Sequence, residues 1–327
     1  MRVLLRRGLF YLITAFAAIT INFFLPRMMP GDPIERMLTR FQGQLSPDAV
    51  YALRQLFGQG DDNLWTQYWE YWGNIFTGNL GVSISAYPAQ VSTMILQGLP
   101  WTLSLIGICT VLSFVIGVGL GMLVGWRRGS WLDGLVPATT FISSIPYFWF
   151  GLIMVYIFAV TLHWFPLSGG YQPGLIPGWN LEFIGSVISY GMLPAITIIV
   201  SSIGGWLLGM RNMMVTTLSE DYVLLAQAKG LKTGRVMRTY AGRNAVLPSL
   251  ASFAMSLGFL VGGSIVTEVV FNYPGLGYTL FQAVQQQDYP LMQGIFLVIT
   301  ITVLVANLVA DFAYVLLDPR TRQEARR

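Results

Sequence analysis

Charge is what this sequence has least of. Only 10% of its 327 residues are Asp, Glu, Lys or Arg, while 54% are hydrophobic. An ordinary soluble domain carries about 25% charged residues. So few charges cannot clothe a water-facing surface of this size, and membrane residence is the first inference. The formal net charge of +4 is no argument for nucleic acid. Lysine is nearly missing, with Lys229 and Lys232 alone, and neither lies in a Gly-x-x-x-x-Gly-Lys-Ser/Thr loop. That excludes nucleotide binding of the phosphate-loop kind by this chain. The single cysteine, Cys109, can form no intrachain disulfide and reads as a small buried hydrophobe. With one cysteine and one histidine, His163, a structural zinc site of His and Cys ligands is excluded. Any hydrolytic triad would have to be built on His163, at the end of an apolar run.

What is abundant is long apolar sequence. Six stretches approach the ~20 residues that cross a bilayer as a helix: about 8–25, 101–125, 135–160, 190–210, 248–271 and 291–317, none containing Lys or Arg. Backbone groups in lipid must satisfy one another, so these are read as helices. The first follows Arg2, Arg6 and Arg7. It is longer than a signal-peptide core of ~7–15 residues and lacks an Ala-x-Ala-like site, so it is read as a retained anchor.

Positive charge sets the expected orientation. Arg2, Arg6 and Arg7, then Arg127 and Arg128, then the 211–247 loop, then Arg320, Arg322, Arg326 and Arg327 alternate correctly to share one side. The loops 161–189 and 272–290 contain no Lys or Arg. Both termini are therefore expected in the cytoplasm, with 26–100 outside. This gives four regions: 1–25 as cytoplasmic N-terminus and anchor helix, 26–100 as external segment, 101–317 as transmembrane core, and 318–327 as cytoplasmic tail. The external segment carries Trp65, Tyr68, Trp69, Tyr71, Trp72 and Phe76, which suit a helix at the membrane interface. Ser46-Pro47-Asp48 reads as another helix start.

The segment 219–248 reads as two short helices. Ser219 is expected to cap the first, Glu220 and Asp221 suit its positive end, and Lys229 its last turn. Gly230 is expected to terminate it with positive φ, Thr233 to cap the second, and Pro248 stands near the next span. Ala226, Ala228 and Gly230 are small enough for close approach of another surface. Helices this short need a docking partner.

At this segment the chain resembles the permease subunits of dipeptide and oligopeptide ABC importers. The resemblance rests on Asp221-Tyr222, Ala226, Ala228-Lys229-Gly230-Leu231, Arg243-Asn244-Ala245 and Leu247-Pro248, which match the cytoplasmic coupling loop of that family. It extends over nearly the whole chain. It takes in Pro30-Gly31-Asp32-Pro33, Arg128-Gly129-Ser130 with Asp133, Pro146 with Phe148-Trp149, and Pro166-Leu167-Ser168-Gly169. It continues through Thr267-Glu268, Pro274-Gly275-Leu276-Gly277, Asp288-Tyr289-Pro290, Asp311 and Asp318-Pro319-Arg320. The chain departs at Gly78-Asn79-Leu80-Gly81, where the family often has Gly-Asp-Leu-Gly, and at Val223, where an Arg is usual.

The resemblance implies an all-α membrane protein with six transmembrane helices, of the type I ABC importer permease kind. It implies a second homologous permease, two cytoplasmic ABC ATPases that hold ATP and Mg, and an external solute-binding protein. The chain itself would hold no cofactor and perform no bond chemistry. Contact with the ATPases would fall to Glu220, Asp221, Tyr222, Ala226, Ala228, Lys229, Gly230, Leu231 and Arg235. Glu268, Pro274, Gly275, Gly277 and Asp311 are structural or pathway candidates. Acids at membrane depth are often functional, though a structural hydrogen bond near the interface also fits Glu268 and Asp311. The resemblance implies oligopeptides or similar small solutes, with oligosaccharides as the alternative. An intramembrane enzyme would need more than a lone His163. An ion-driven carrier would favour inverted repeats or several buried ionisable groups, and neither is visible.

Overall fold

Residue placement in the computed structural model covers 2–30, 35, 51, 63–258 and 265–317, with side chains described for 8–30, 35, 51, 63–257 and 265–309. The expected helix start at Ser46-Pro47-Asp48, most of Pro30–Pro33 and the tail 318–327 lie outside the described residues.

Among the described residues the regular secondary structure is helical apart from one isolated bridge between Val82 and Gln90, with loops and turns between the helices. In chain order the helices are α1 (Arg2–Arg27), α2 (Leu64–Thr77), α3 (Val91–Trp126), α4 (Leu135–Ser144), α5 (Tyr147–Met154) and α6 (Leu181–Thr217). There follow α7 (Asp221–Ala228), α8 (Thr233–Arg235), α9 (Arg243–Ala245), α10 (Leu247–Gly258), α11 (Ile265–Val270), α12 (Leu276–Gln286) and α13 (Tyr289–Leu317). Val155–Thr161 continues α5 as a π-helix, and Val236–Gly242 joins α8 to α9 in the same way.

Among the described residues, four single helices are long and apolar enough to cross a membrane: Gly8–Arg27, Val91–Trp126, Leu181–Thr217 and Tyr289–Val309. At ~1.5 Å per residue, α3 and α6 measure ~55 Å, well beyond the ~30 Å hydrocarbon core. Both must continue past it. The helix that carries the expected second span, about 101–125, begins at Val91. Pro100 sits inside the helix.

The expected span 135–160 is not one rod. Trp131–Ser144 and Tyr147–Thr161 meet at 98°. The cause is Pro146, which has no N–H and disfavours helical geometry in the residue before it. Ile145 accordingly sits at φ −71° and ψ 131°. The expected span 248–271 is described in two pieces, α10 and α11, and residues 259–264 between them lie outside the described set.

The chain divides into two compact units. One holds Met1–Thr102 and Pro274–Val305; the other holds Leu103–Tyr273 and Ala306–Arg327. In the first, α2 packs on α1 through aromatic contacts. Phe16 stacks on Trp72, Phe23 meets Tyr68 edge-on, and the Thr20 and Tyr68 hydroxyls lie 2.8 Å apart. Asp288 is fully buried before α13. Its Oδ1 accepts from Leu291 N at 3.2 Å, which caps the helix. Its Oδ2 accepts from the Ser83 hydroxyl, from Ser85 N at 2.9 Å and from Ser85 Oγ at 2.7 Å. One carboxylate therefore both starts α13 and holds the 83–85 turn.

In the second unit the central contact is α3 against α6. Gly117, Gly121 and Gly125 recur every four residues, which places them on one helical face. A Cβ at Gly117 would lie 2.5 Å from Trp206 Cβ, at Gly121 2.5 Å from Leu207 O, and at Gly125 2.6 Å from Met214 Cβ. The two backbones touch because the side chains are absent, as membrane helix pairs commonly achieve.

Gly121→Ala should therefore destabilise the protein by about 1–3 kcal/mol, the usual cost of overpacking. Gly119→Ala, where nothing lies within 4 Å of the added carbon, should be neutral or slightly stabilising. Thermal unfolding of the detergent-solubilised chain checks the pair.

Candidate functional site

The α6–α3 contact fixes the end of α6, and the end of α6 fixes α7. Leu218 N donates to Met214 O at 3.0 Å and Glu220 N to Thr217 O at 3.2 Å, closing α6. Arg128 Nη2 donates to Val215 O at 2.9 Å, so a cation satisfies a carbonyl at the helix's negative end. The Arg128-Gly129-Ser130 turn that holds this arginine is tied locally. Gly129, at φ +75°, donates N–H to Asp133 Oδ2 at 2.6 Å, and Ser130 Oγ donates to Arg127 O at 2.6 Å.

Glu220, in extended geometry, is the N-cap of α7, and no side chain bonds the first turn. The expected cap, Ser219, instead donates its hydroxyl to Thr216 O at 2.7 Å, in the last turn of α6. Asp221 opens the helix at its positive end. The end of α7 is as expected. Gly230 has φ +70°, its N–H reaches Gln227 O at 2.9 Å, and Leu231 N reaches Ala226 O at 3.4 Å. This crossed pair is the Schellman arrangement, which needs a left-handed residue at the glycine. The turn leaves Leu231 and Lys232 outside helical geometry before it resumes at Thr233, with Lys232 at φ −53° and ψ 131°. Lys232 is therefore the cap where Thr233 was expected, and Thr233 is the first helical residue.

Two faces of α7 diverge. Val223 and Ala226, three residues apart, are buried in a cluster with Val118, Met210, Met214, Val236, Ala241 and Ala245. Leu231 packs against the same cluster. Ala226 was expected on the docking surface; at 3% exposure it belongs instead to the anchoring of α7. Val223 is also buried, so its departure from the family's usual Arg changes internal packing rather than the outer face. Glu220, Asp221, Tyr222, Ala228, Lys229, Gly230 and Arg235 are exposed. Between them stand two side chains the sequence reading did not single out, Leu224 at 50% and Leu225 at 56% exposure. Their signal was available. Once Val223 and Ala226 are inward, helical period forces Leu224, Leu225 and Ala228 outward.

The pathway candidates separate. Glu268, on α11, is fully buried, and beside it Thr267 Oγ1 donates to the Tyr147 hydroxyl at 2.7 Å. Pro274, Gly275 and Gly277 belong to the other unit. Gly275 caps α12 with its carbonyl, accepting from Thr279 N at 3.1 Å. Leu276 N donates to Thr102 Oγ1 at 2.8 Å. A Cβ at Gly98 of α3 would meet Gly275 C at 3.3 Å, so Gly98 and Gly275 lie at a close contact between helix backbones. Asp311 lies on α13, with its side chain outside the described residues.

Gly230→Val should cost about 1–2 kcal/mol through left-handed strain alone, since nothing within 4 Å of the added carbon resists it. Gly230→Asn should lose less, because asparagine tolerates that conformation. Ala226→Trp should disorder α7 outright by forcing it off the cluster. Limited proteolysis of 219–232 in membranes ranks the three.

Residues 117–323 match the family of binding-protein-dependent transport system inner membrane components. Over 322 residues the chain is 33% identical to the oligopeptide transport system permease protein AppB of Bacillus subtilis strain 168, covering 97% of this chain and 98% of that one. It is 34% identical to the di/tripeptide transport system permease protein DppB of Pseudomonas aeruginosa strain UCBPP-PA14, with coverage of 97% and 98%. It is 31% identical to the dipeptide transport system permease protein DppB of Lactococcus lactis subsp. cremoris, with 98% of each covered. With several helices of spanning length, a matched family domain and relatives that align end to end, the chain belongs to the binding-protein-dependent transport system inner membrane components, the permeases of ABC importers.

Proposed function

We propose that this chain forms half of the translocation pathway of an ATP-driven importer of short peptides, and that α7 is its contact with the cytoplasmic ATPase. Both termini and α7 lie in the cytoplasm, and 26–100 faces outward. A second, homologous permease completes the pathway. Two ATPase subunits bind ATP and Mg²⁺, and an external binding protein delivers the solute. Closure of the ATPases around ATP pushes on α7. Because Val223 and Ala226 are set into the same cluster as Met210 and Met214 of α6, that push is passed to α6 rather than absorbed. The spans then exchange an inward-open for an outward-open arrangement. The chain breaks no bond and holds no cofactor.

The observation that carries this reading is the two-faced α7. It is anchored inward by small and apolar side chains, yet it presents Tyr222, Leu224 and Leu225 outward. Exposed apolar residues between polar neighbours mark a protein contact. Peptide is preferred to oligosaccharide as the solute because the aligned relatives are named for peptide transport.

Leu225→Asp tests the contact without touching the core, since that side chain is exposed. Insertion and abundance should be unchanged, ATPase co-purification should be lost, and uptake of a labelled dipeptide should fall at least tenfold. Gly119→Ala, matched for abundance, should retain both. Normal ATPase association of Leu225→Asp would remove α7 from the interface.

A further inference from the structure

The first unit contains a cavity that the coupling reading does not use. Its volume is about 300 Å³, and its walls come from α1, α2, the 79–82 turn and the start of α13. This is the lower end of the range for small-molecule sites. Arg27, the last residue of α1, lines it together with Gln67, Glu70, Tyr71 and Asn74 of α2. Those four positions recur at i, i+3, i+4 and i+7, so one polar face of α2 turns toward the cavity.

Arg27 is half-buried and held in place. Its guanidinium carbon lies 3.7 Å from the centroid of the Phe23 ring. Nη1 donates to Phe23 O at 2.8 Å, while Nε and Nη2 donate to Gln67 Oε1 at 3.4 and 3.3 Å. Guanidinium has five N–H groups. Three are used, two of them in long bonds, and no carboxylate pairs with the group among the described residues. The Tyr71 hydroxyl accepts from Asn22 Nδ2 at 2.9 Å, so its own proton is directed elsewhere. Burial pushes the Tyr71 hydroxyl up to about 12, against a smaller opposing effect of the Asn22 bond, so it stays a donor at neutral pH. Glu70, an exposed acid one position before Tyr71, supplies negative charge to the same cavity.

We infer that this cavity binds a small zwitterion, its oxyanion on Arg27 and the Tyr71 hydroxyl and its ammonium group on Glu70. A fixed guanidinium with spare N–H groups suits a carboxylate or phosphate oxygen. An acid on the same lining suits a ligand that carries a positive group as well. Arg27 closes one span and Pro290, also in the lining, opens another, so the site lies at the boundary of the bilayer. Two sources meet that chemistry there: the termini of a short peptide and the phosphoethanolamine headgroup of a phospholipid. The site stands on α1, α2 and α13 and does not depend on the reading of α7.

The test is equilibrium binding to the full-length chain in dodecyl maltoside. The probes are labelled dialanine and dihexanoyl phosphatidylethanolamine, each beside its N-acetylated form. The unmodified form of at least one probe should bind. Arg27→Gln should weaken that probe at least tenfold, and Arg27→Lys less. Glu70→Gln, an exposed change harmless to folding, should weaken the unmodified probe several-fold and leave its N-acetylated form unchanged. Dialanine as the bound probe identifies a solute site, and the lipid alone identifies a headgroup site. Binding of neither probe, binding unchanged by Arg27→Gln, or equal effects of Glu70→Gln on both forms of a probe would overturn the inference. Should Arg27→Gln fail to fold, the Glu70→Gln comparison decides alone.

Discussion

In hydrocarbon, two helices gain nothing from the hydrophobic effect by touching, so their association rests on close packing and polar contacts. Gly117, Gly121 and Gly125 provide that closeness. Each presents bare backbone to α6 where a side-chain carbon would fall within about 2.6 Å of an α6 atom. The contact fixes the register of α3 against α6, and Val118 of α3 then lies in the same buried cluster as Met210 and Met214 of α6. That cluster is the seat of Val223 and Ala226. The short helix α7, too short to persist alone, is thus held through α6 by the glycine face of α3. Arg128 adds a second tie, from the turn after α3 to a carbonyl at the end of α6.

Under the proposed function, this order of dependence would let an eight-residue helix carry a mechanical signal. A rigid-body displacement of α7 has no soft joint to escape through on its C-terminal side. Gly230 is committed to a left-handed turn, and Leu231 returns to the core. The segment that follows is less regular. Val236–Gly242 is a π-helix, with Val236, Ala241 and Gly242 buried against the unit's own interior. Such turns are frequent at functional positions, and this one joins α7's neighbour to α10 through α9.

The sequence made some of this legible and hid the rest for physical reasons. Gly230 after Lys229 announced the end of α7, because left-handed geometry leaves few alternatives to glycine. The direction of Ala226 could not be read, because a small residue suits both a tight internal contact and a tight external one. Ser219 and Thr233 were misread as caps, because a hydroxyl near a helix start can equally serve the preceding helix or enter the first turn. The break in 135–160 was signalled by Pro146 but masked by unbroken hydropathy. The glycines at 117, 121 and 125 pass in the sequence as members of an apolar run, and only the neighbour's backbone shows what they are for. In the sequence Arg27 is one of four arginines, with Arg36, Arg40 and Arg54, in the 26–100 segment. Its place in the lining of a cavity depends on α2 and α13, which are remote in sequence. The family was the most legible feature, since it rests on many short motifs in a fixed order, and the end-to-end relatives bear it out.

The central claim is that the outward face of α7 meets the ATPase while its inward face belongs to the chain. A photo-reactive amino acid placed singly at Leu225, at Val223 or at Ile176 in the full-length chain, co-produced with its ATPase subunits, tests it most directly. Position 225 should yield an adduct of the permease with the ATPase. Position 223 should react only within the chain, and Ile176, on the opposite side by the charge rule, should never reach the ATPase. Absence of an ATPase adduct at 225, or an equally strong one at 176, would contradict the account.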